Sequence, residues 1–424
     1  MMAFHSLTEP TSVADWLAPQ LGVLLGRNAI VRRCEVLHAR RRLYAKPGSA
    51  HRSYVDFCYR LGLGEAGDGT ESTEILTGRG YLQRPSDAAA TTLGKPATHP
   101  DLHVYVRRFP DDPGLPCLTE FTTGTAAALL PDAAKQWLHR PDAVHVEVVS
   151  YRPGERCVLR FSPAACGNVG PARQPSVFAK CYSLGLGAKV AVRCRTLLQS
   201  AEGLSLPALL HFDAARDVLW LAGIDGPLAA AHCDGSLGAE TARLLATGTA
   251  ALHAARDVAE ETFHRAQLVD ETGRRLAKLA LALPSEQPGL AKLGARLLAV
   301  GARLPPPRYQ TIHGDLHLRQ WVMAAGRAYL VDFDELALGE AEQDLASLIV
   351  DMEYRGHGGA PVADLLLAYA QRANRPPDLA LLEWHYHLQL VAKAYRLYWR
   401  GGVAMQPDML MLLDRTTRRA EFQP

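Results

Sequence analysis

The feature that most constrains this chain is a change of hydrophobic period near residue 226. Upstream, the apolar residues recur in short β-type runs. Val144, Val146 and Val148 alternate, Arg152-Pro153-Gly154-Glu155 marks a turn, Cys157 to Phe161 is a second run and Val177 to Tyr182 a third. Alternation at a period of two is the pattern of a half-buried strand, and turn chemistry between such runs joins them into an antiparallel sheet. Val218 to Ile224 adds another apolar strand, closed by Asp225-Gly226-Pro227. Downstream the spacing becomes helical, over 240–255, 274–283, 289–304, 365–373 and 379–398, with Pro305-Pro306-Pro307 stopping the third of these. Strands first and helices afterwards predict the α+β class, not an alternating βα chain.

The 424 residues suit two or three domains, since one domain takes about 100–200 residues. The reading is an extra α+β domain over 1–140, a sheet-rich unit over 141–226 and a helical unit over 227–424. The first of these shows a faint internal repeat of the second. Lys46-Pro47-Gly48 precedes Tyr81 much as Arg152-Pro153-Gly154 precedes Tyr182, each with a Gly-rich loop between, and a chance likeness of two punctuated hairpins is the rival reading. Residues 86–98, rich in Ala, Thr and Pro, read as a mobile connection.

Charge and cysteine usage exclude several classes. Lys and Arg number 46 against 44 Asp and Glu, so no basic face points to nucleic acid. The run Arg40 to Arg42 reads as a solvated strand or loop edge. The eight cysteines, at 34, 58, 117, 157, 166, 181, 194 and 233, form no C-x-x-C pair, and several sit in apolar runs. Buried thiols of a reducing compartment fit them. With no secretory pattern at the start and no apolar stretch of spanning length, a cytoplasmic protein without membrane contact is expected.

The chemistry is concentrated in Thr311-Ile312-His313-Gly314-Asp315-Leu316-His317-Leu318-Arg319-Gln320 and Tyr329-Leu330-Val331-Asp332-Phe333-Asp334. Two short strands each deliver a carboxylate, Asp315 and Asp332, 17 residues apart, the length of a loop plus a returning hairpin. Phosphoryl transfer needs such a pair: one carboxylate takes the proton of the attacking hydroxyl, and another holds Mg²⁺ against the nucleotide phosphates. Gln320 can add an amide oxygen to the same ion. Asp334 and Glu335 suit the turn or a substrate rim equally well. Gly62-Leu63-Gly64-Glu65-Ala66-Gly67 spells a dinucleotide fingerprint but lacks the strand-to-helix setting, and reads as a loop. His313 and His317 have no third ligand for zinc.

This stretch resembles the catalytic loop of the aminoglycoside phosphotransferase and choline kinase family. The resemblance implies a bilobal protein-kinase-like fold, with an antiparallel-sheet N-lobe and a mostly helical C-lobe, using ATP and Mg²⁺. By that resemblance Asp315 is the catalytic base, and Asp332 with Gln320 holds the metal. His313 supports the loop, and Asp344 braces it from a helix start. Lys180 and Arg152 hold phosphates, with Arg156 as a further helper, and the adenine lies near Leu221 and Ile224. Gln320 stands where the family usually has Asn; related sugar kinases such as maltokinase share the Gln. The helix after Lys180 lacks the expected glutamate, leaving Glu202 as the nearest acid. The implied acceptor is a small-molecule hydroxyl (a sugar, aminoglycoside or amino alcohol), with Asp351, Glu353 and Glu383 as acids that suit a cationic or polyhydroxyl one. A catalytically degenerate nucleotide-binding or scaffold protein is the alternative. Neither acceptor identity nor oligomeric state is legible.

Overall fold

The computed structural model describes residues 2–27, 29–42, 53–64, 71–85, 94–122, 125–139, 141–164, 175–183, 185–232, 237–373, 375–401 and 405–418. Helices α1 (Pro10–Leu17) and α2 (Leu21–Leu25) precede β1 (Ile30–Arg42), β2 (Tyr54–Gly64), β3 (Glu71–Tyr81), β4 (Lys95–Ala97) and β5 (His103–Arg108). Two short helices, α3 (Cys117–Phe121) and α4 (Asp132–Trp137), lead to β6 (Val144–Arg152), β7 (Arg156–Pro163) and β8 (Val177–Tyr182). Next come α5 (Leu186–Ser200), β9 (Leu209–Asp213) and β10 (Val218–Ala222). The rest is helical apart from two small hairpin-like pairs: α6 (Ala229–His232), α7 (Ala239–Ala254), α8 (Arg265–Ala282), α9 (Gln287–Gly301), β11 (Gln310–Ile312), β12 (Trp321–Ala324), β13 (Arg327–Leu330), β14 (Ala337–Gly339), α10 (Ala341–Tyr354), α11 (Ala360–Arg372), α12 (Leu379–Gly401) and α13 (Gln406–Arg418). This is the α+β arrangement expected, an antiparallel-sheet part followed by a mostly helical part.

Among the described residues the two large sheets share one strand order, β1-β2-β3-β5-β4 and β6-β7-β8-β10-β9, with every neighbouring pair antiparallel. Tyr81 ends β3 as Tyr182 ends β8. The Lys46-Pro47-Gly48 turn lies outside the described residues, as do 86–93 of the Ala/Thr/Pro connection, Cys166 and Cys233. Gly62, Leu63 and Gly64 are the end of β2 and not a loop, because each finds a ladder partner on β3, from Thr73 to Glu71; residues 65–67 lie outside the described set.

The period-two pattern decides which side of the second sheet meets which partner. Cys157, Leu159 and Phe161 on β7 and Val177, Ala179 and Cys181 on β8 face one core, which also takes in Phe121, Leu138 and Trp220. Phe121 from α3 packs edge-on against Trp220 at 5.5 Å. The opposite face of β8, Lys180 and Tyr182, looks toward the helical lobe, where Tyr182 joins the core built on α7, α10 and α12. The cysteines that are described carry no disulfide, and all but Cys34 are buried.

The first sheet docks through β1. Arg60 on β2 donates to the Val148 carbonyl on β6 at 2.5 Å. The Arg40 to Arg42 run is not a solvated edge throughout. Arg41 is buried, and its guanidinium donates to the Tyr398 carbonyl at 2.9 Å near the end of α12. Carbonyls left open at a helix C-terminus attract a cation, which makes that burial tolerable. Among the described residues no helix is long and apolar enough to cross a membrane.

Candidate active site

The cleft between the second sheet and the helical lobe is built from three pieces: the cleft face of β7 and β8, the turn after β11, and the residues after β13. Register sets the first piece. Arg156 lies opposite Tyr182, and Val158 opposite Lys180, so the side chains of Arg156, Lys180 and Tyr182 share one face. That face meets the carboxylates after β13. Lys180 is ion-paired with both Asp332 and Asp334, the latter at 2.6 Å. Arg156 pairs with the same two, reaching Asp332 at 3.3 Å. The Tyr182 hydroxyl donates to Asp334 at 2.8 Å. Burial alone would raise the Asp332 carboxyl, but the charges of Lys180 and Arg156 outweigh it and hold the group well below the ordinary carboxylate range.

Asp332 adopts φ +69°, a left-handed backbone uncommon outside glycine. Its position is fixed from the preceding residue, whose carbonyl lies 3.0 Å from His313 Nε2. Gln320, in the single 3₁₀ turn that ends the stretch from Thr311, donates its amide to Asp332 Oδ2 at 3.3 Å. His313, Gln320 and Asp332 thus form one hydrogen-bonded group, although β11 pairs with β14 and β13 with β12.

The loop carrying Asp315 is held from below by α10. Asp344 accepts the backbone N–H of His313 at 2.6 Å and of Gly314 at 3.0 Å. Seven residues on, Asp351 accepts the N–H of Leu318 at 3.1 Å. Residues seven apart lie two turns apart on one helix face, so the two acids grip both ends of the loop. Gly314, at φ +83°, leaves no room for a side chain: a Cβ there would stand 2.3 Å from the Glu335 carbonyl. Behind Asp344, His253 Nε2 lies at 3.3 Å and in turn contacts Tyr369 through Nδ1 at 2.8 Å.

Asp315 itself is paired with α12, where Arg396 donates to it at 2.7 Å. His317 stands 3.8 Å from its other oxygen. Arg152 ends β6; burial and then the neighbouring Arg156 lower its guanidinium, against the opposing charges of Asp332, Glu155 and Asp315. Leu221, on β10, and Ile224, in the connection just beyond it, are half-buried where the sheet hands over to the helical lobe.

Glu202, the nearest acid after Lys180, lies exposed beyond α5, while Lys180 pairs with Asp332 and Asp334. From α5 the residue that enters is a base, Arg193, which donates to the Asp334 carbonyl at 2.7 Å and pairs with Glu261 at 3.1 Å. The expectation for the acceptor acids is corrected. Asp351 is not open to an acceptor. It is buried, and besides the Leu318 N–H it holds Lys393 at 2.7 Å and Arg355 at 3.0 Å. Glu353 is likewise engaged, by Tyr386 at 2.5 Å and Arg415 at 3.3 Å, and Glu383 lies 3.9 Å from His387.

Sequence reasoning also passed over Asp112. One of its carboxylate oxygens accepts the Tyr151 hydroxyl at 2.7 Å and the Gly154 N–H at 2.8 Å, tying the loop after β5 to the β6–β7 turn. The spacing of Asp344 and Asp351, and that of Arg396 and Arg400, were signals within reach of a helical-face argument. Asp112 offered none, because its partners are 39 and 42 residues away.

Among the described residues no three His, Cys, Asp or Glu side chains cluster as a metal site. A carboxylate and an amide side by side still suit Mg²⁺, a hard cation that takes one or two protein oxygens and draws the rest from phosphates and water.

Residues 189–383 match the model of a phosphotransferase enzyme family, APH. Similar solved structures include an aminoglycoside-3'-phosphotransferase of type VIII, 19% identical over 61% of this chain and 98% of that one, with a TM-score of 0.42. A choline/ethanolamine kinase family protein from Mesorhizobium loti is 14% identical over 65% and 87%, with a TM-score of 0.42. The choline kinase LicA from Streptococcus pneumoniae is 13% identical over 66% and 97%, with a TM-score of 0.46. Likenesses so distant speak to neither donor nor acceptor. No curated protein matches the chain.

Proposed function

We propose, from the premise that residues 189–383 are a unit of the phosphotransferase enzyme family, that this protein moves the γ-phosphate of ATP to a hydroxyl of a small molecule. The observation that carries the reading is the convergence of Lys180 and Arg156 from the sheet on Asp332, with Gln320 beside it. Two fixed cations and an oxygen-donor pair at one point form a place for a triphosphate and its metal. When bound there by Asp332 and Gln320, Mg²⁺ would neutralise charge on the nucleotide phosphates.

The chain's own residues account for the remaining work. Lys180 and Arg156 hold phosphate oxygens, with Arg152 beside them. Asp315 accepts the proton of the acceptor hydroxyl, and the adenine lies against Leu221 and Ile224. Asp344 and Asp351 keep the Asp315 loop in place through its backbone, which supports a positioning contribution independent of substrate. Placement and charge neutralisation supply most of the acceleration in phosphoryl transfer.

A thermal melt with ATP, with and without Mg²⁺, followed by ATP consumption over a panel of sugars, aminoglycosides and amino alcohols, tests the reading. Magnesium-dependent stabilisation with acceptor-dependent phosphate transfer is expected. Stabilisation without transfer to any acceptor favours the degenerate, nucleotide-binding alternative, and the absence of both removes the nucleotide site.

A further inference from the structure

The charge around Asp315 is the reverse of what a cationic acceptor needs. Arg396 of α12 lies on Asp315 at 2.7 Å. Arg400, one turn further along the same helix, is within electrostatic reach of Arg396, Arg319, Arg152 and Asp315. Arg319 is exposed in the 3₁₀ turn that follows the Asp315 loop. The acids on this side are Asp315 and Glu335, the latter within reach of Asp315 and Asp334. Asp332 and Asp334 are already matched by Lys180 and Arg156, and Asp351 by Lys393 and Arg355. Arg396 and Arg400, four residues apart, share the face of α12 that meets Asp315. Among the described residues Arg319 and Arg400 form no ion pair with any of these carboxylates.

Arg152 stands at the β6–β7 turn and serves the nucleotide side under the reading above. The charge that remains, on Arg319 and Arg400 beside the Asp315-paired Arg396, is assigned to the acceptor side. Arg396 adds a chemical reason. A guanidinium held on the proton-accepting carboxylate competes with the acceptor hydroxyl for the same oxygens, unless the acceptor offers it another anion. We propose that the acceptor carries an anionic group, a carboxylate, sulfate or phosphate, held by Arg396, Arg400 and Arg319 while its hydroxyl meets Asp315. This rests on the phosphotransferase reading and narrows its acceptor class. Bidentate guanidinium contacts to such planar or tetrahedral anions are short and strong, which makes arginine better suited than lysine to the task.

The test uses the full-length protein saturated with Mg²⁺ and ADP, so that the phosphate cations are occupied. Lithium sulfate is titrated against lithium chloride of equal ionic strength while the melting temperature is followed. Sulfate is expected to stabilise the wild type beyond chloride, with apparent affinity falling about tenfold or more in Arg396→Gln and Arg400→Gln. The affinity for Mg²⁺–ADP should stay within about twofold in both, as the substitutions lie outside the nucleotide contacts. No sulfate-specific shift, or one unchanged in both variants, overturns the proposal. So does preferential phosphorylation of an aminoglycoside or amino alcohol over anionic acceptors. Failure of the phosphotransferase reading appears separately, as no stabilisation by Mg²⁺–ADP, and the sulfate arm is then read from the difference between the wild type and the two arginine variants.

Discussion

Lys180 on β8 and Asp334 beyond β13 form an ion pair at 2.6 Å that joins the sheet to the helical lobe. Lys180 is buried and shares Asp332 as a second acid. Lys180→Met leaves the neighbouring carboxylates of Asp332 and Asp334 with Arg156 as their one remaining cation among the described ion pairs. One-sided loss of a buried pair costs about 3–5 kcal/mol. The Asp332 side chain is 26% exposed, so solvent lowers the expected loss to about 2 kcal/mol. Thermal melts should show that loss, and nucleotide titration a weakened affinity. A variant that binds ATP as the wild type does would take Lys180 out of the phosphate site.

Asp315→Asn keeps the shape of the side chain and removes its basicity. Turnover should fall by about 10²–10⁴-fold, the usual worth of a general base, with Mg²⁺–ATP affinity nearly unchanged. Asp332→Asn should do the opposite in binding, abolishing the magnesium dependence of nucleotide affinity. Identical behaviour of the two variants in both assays would mean that the carboxylates do not have separate tasks.

Asp344 holds the loop through two backbone N–H groups, each a charge-assisted bond. Asp344→Ala strips both and leaves them buried, at about 1–3 kcal/mol for each unsatisfied group. A fall in kcat larger than the change in the KM for ATP is expected, because the displaced residue is Asp315 and not Lys180. Steady-state kinetics alongside a melting curve separates this from general unfolding.

For Asp351, burial would raise the carboxyl, but Lys393 and then Arg355 lower it below the ordinary value of 3.8. A lowered folded pKa means that the stabilisation is present above the unfolded value and is lost as pH falls through the folded one. Melting temperature should therefore drop on acidification below about pH 4. Asp351→Asn should already be less stable by about 3 kcal/mol at neutral pH and show a shallower acid limb. An acid limb as steep as that of the wild type would assign the effect to other carboxylates.

Asp112 supports the β6–β7 turn from outside the sheet. Gly154 in that turn adopts φ +72°, and a Cβ on Gly114 would come within 2.7 Å of the Gly154 Cα, so loop and turn are in close contact. Asp112→Ala frees the turn and leaves the buried Tyr151 hydroxyl without its acceptor. The KM for ATP should rise several-fold, about 1 kcal/mol of lost positioning, with Asp315 chemistry intact. An unchanged KM for ATP would show that the turn needs no external support.

The sequence by itself determined what depends on neighbours along the chain. Period-two runs placed β6, β7, β8 and β10, and helical spacing placed α7, α9, α11 and α12. The Gly, His and Asp of the catalytic stretch marked a strand end carrying chemistry. Those signals are legible because strand and helix periods are local properties of the backbone. Tertiary structure alone decided which charges cancel. Asp351 looks like a free acid on a helix and is consumed by Lys393, Arg355 and a backbone N–H. Arg193 enters where an acid was sought, and Arg396, 81 residues from Asp315, pairs with its carboxylate. Coulomb energy depends on distance in space and on burial, and neither is written in the spacing of residues along a chain.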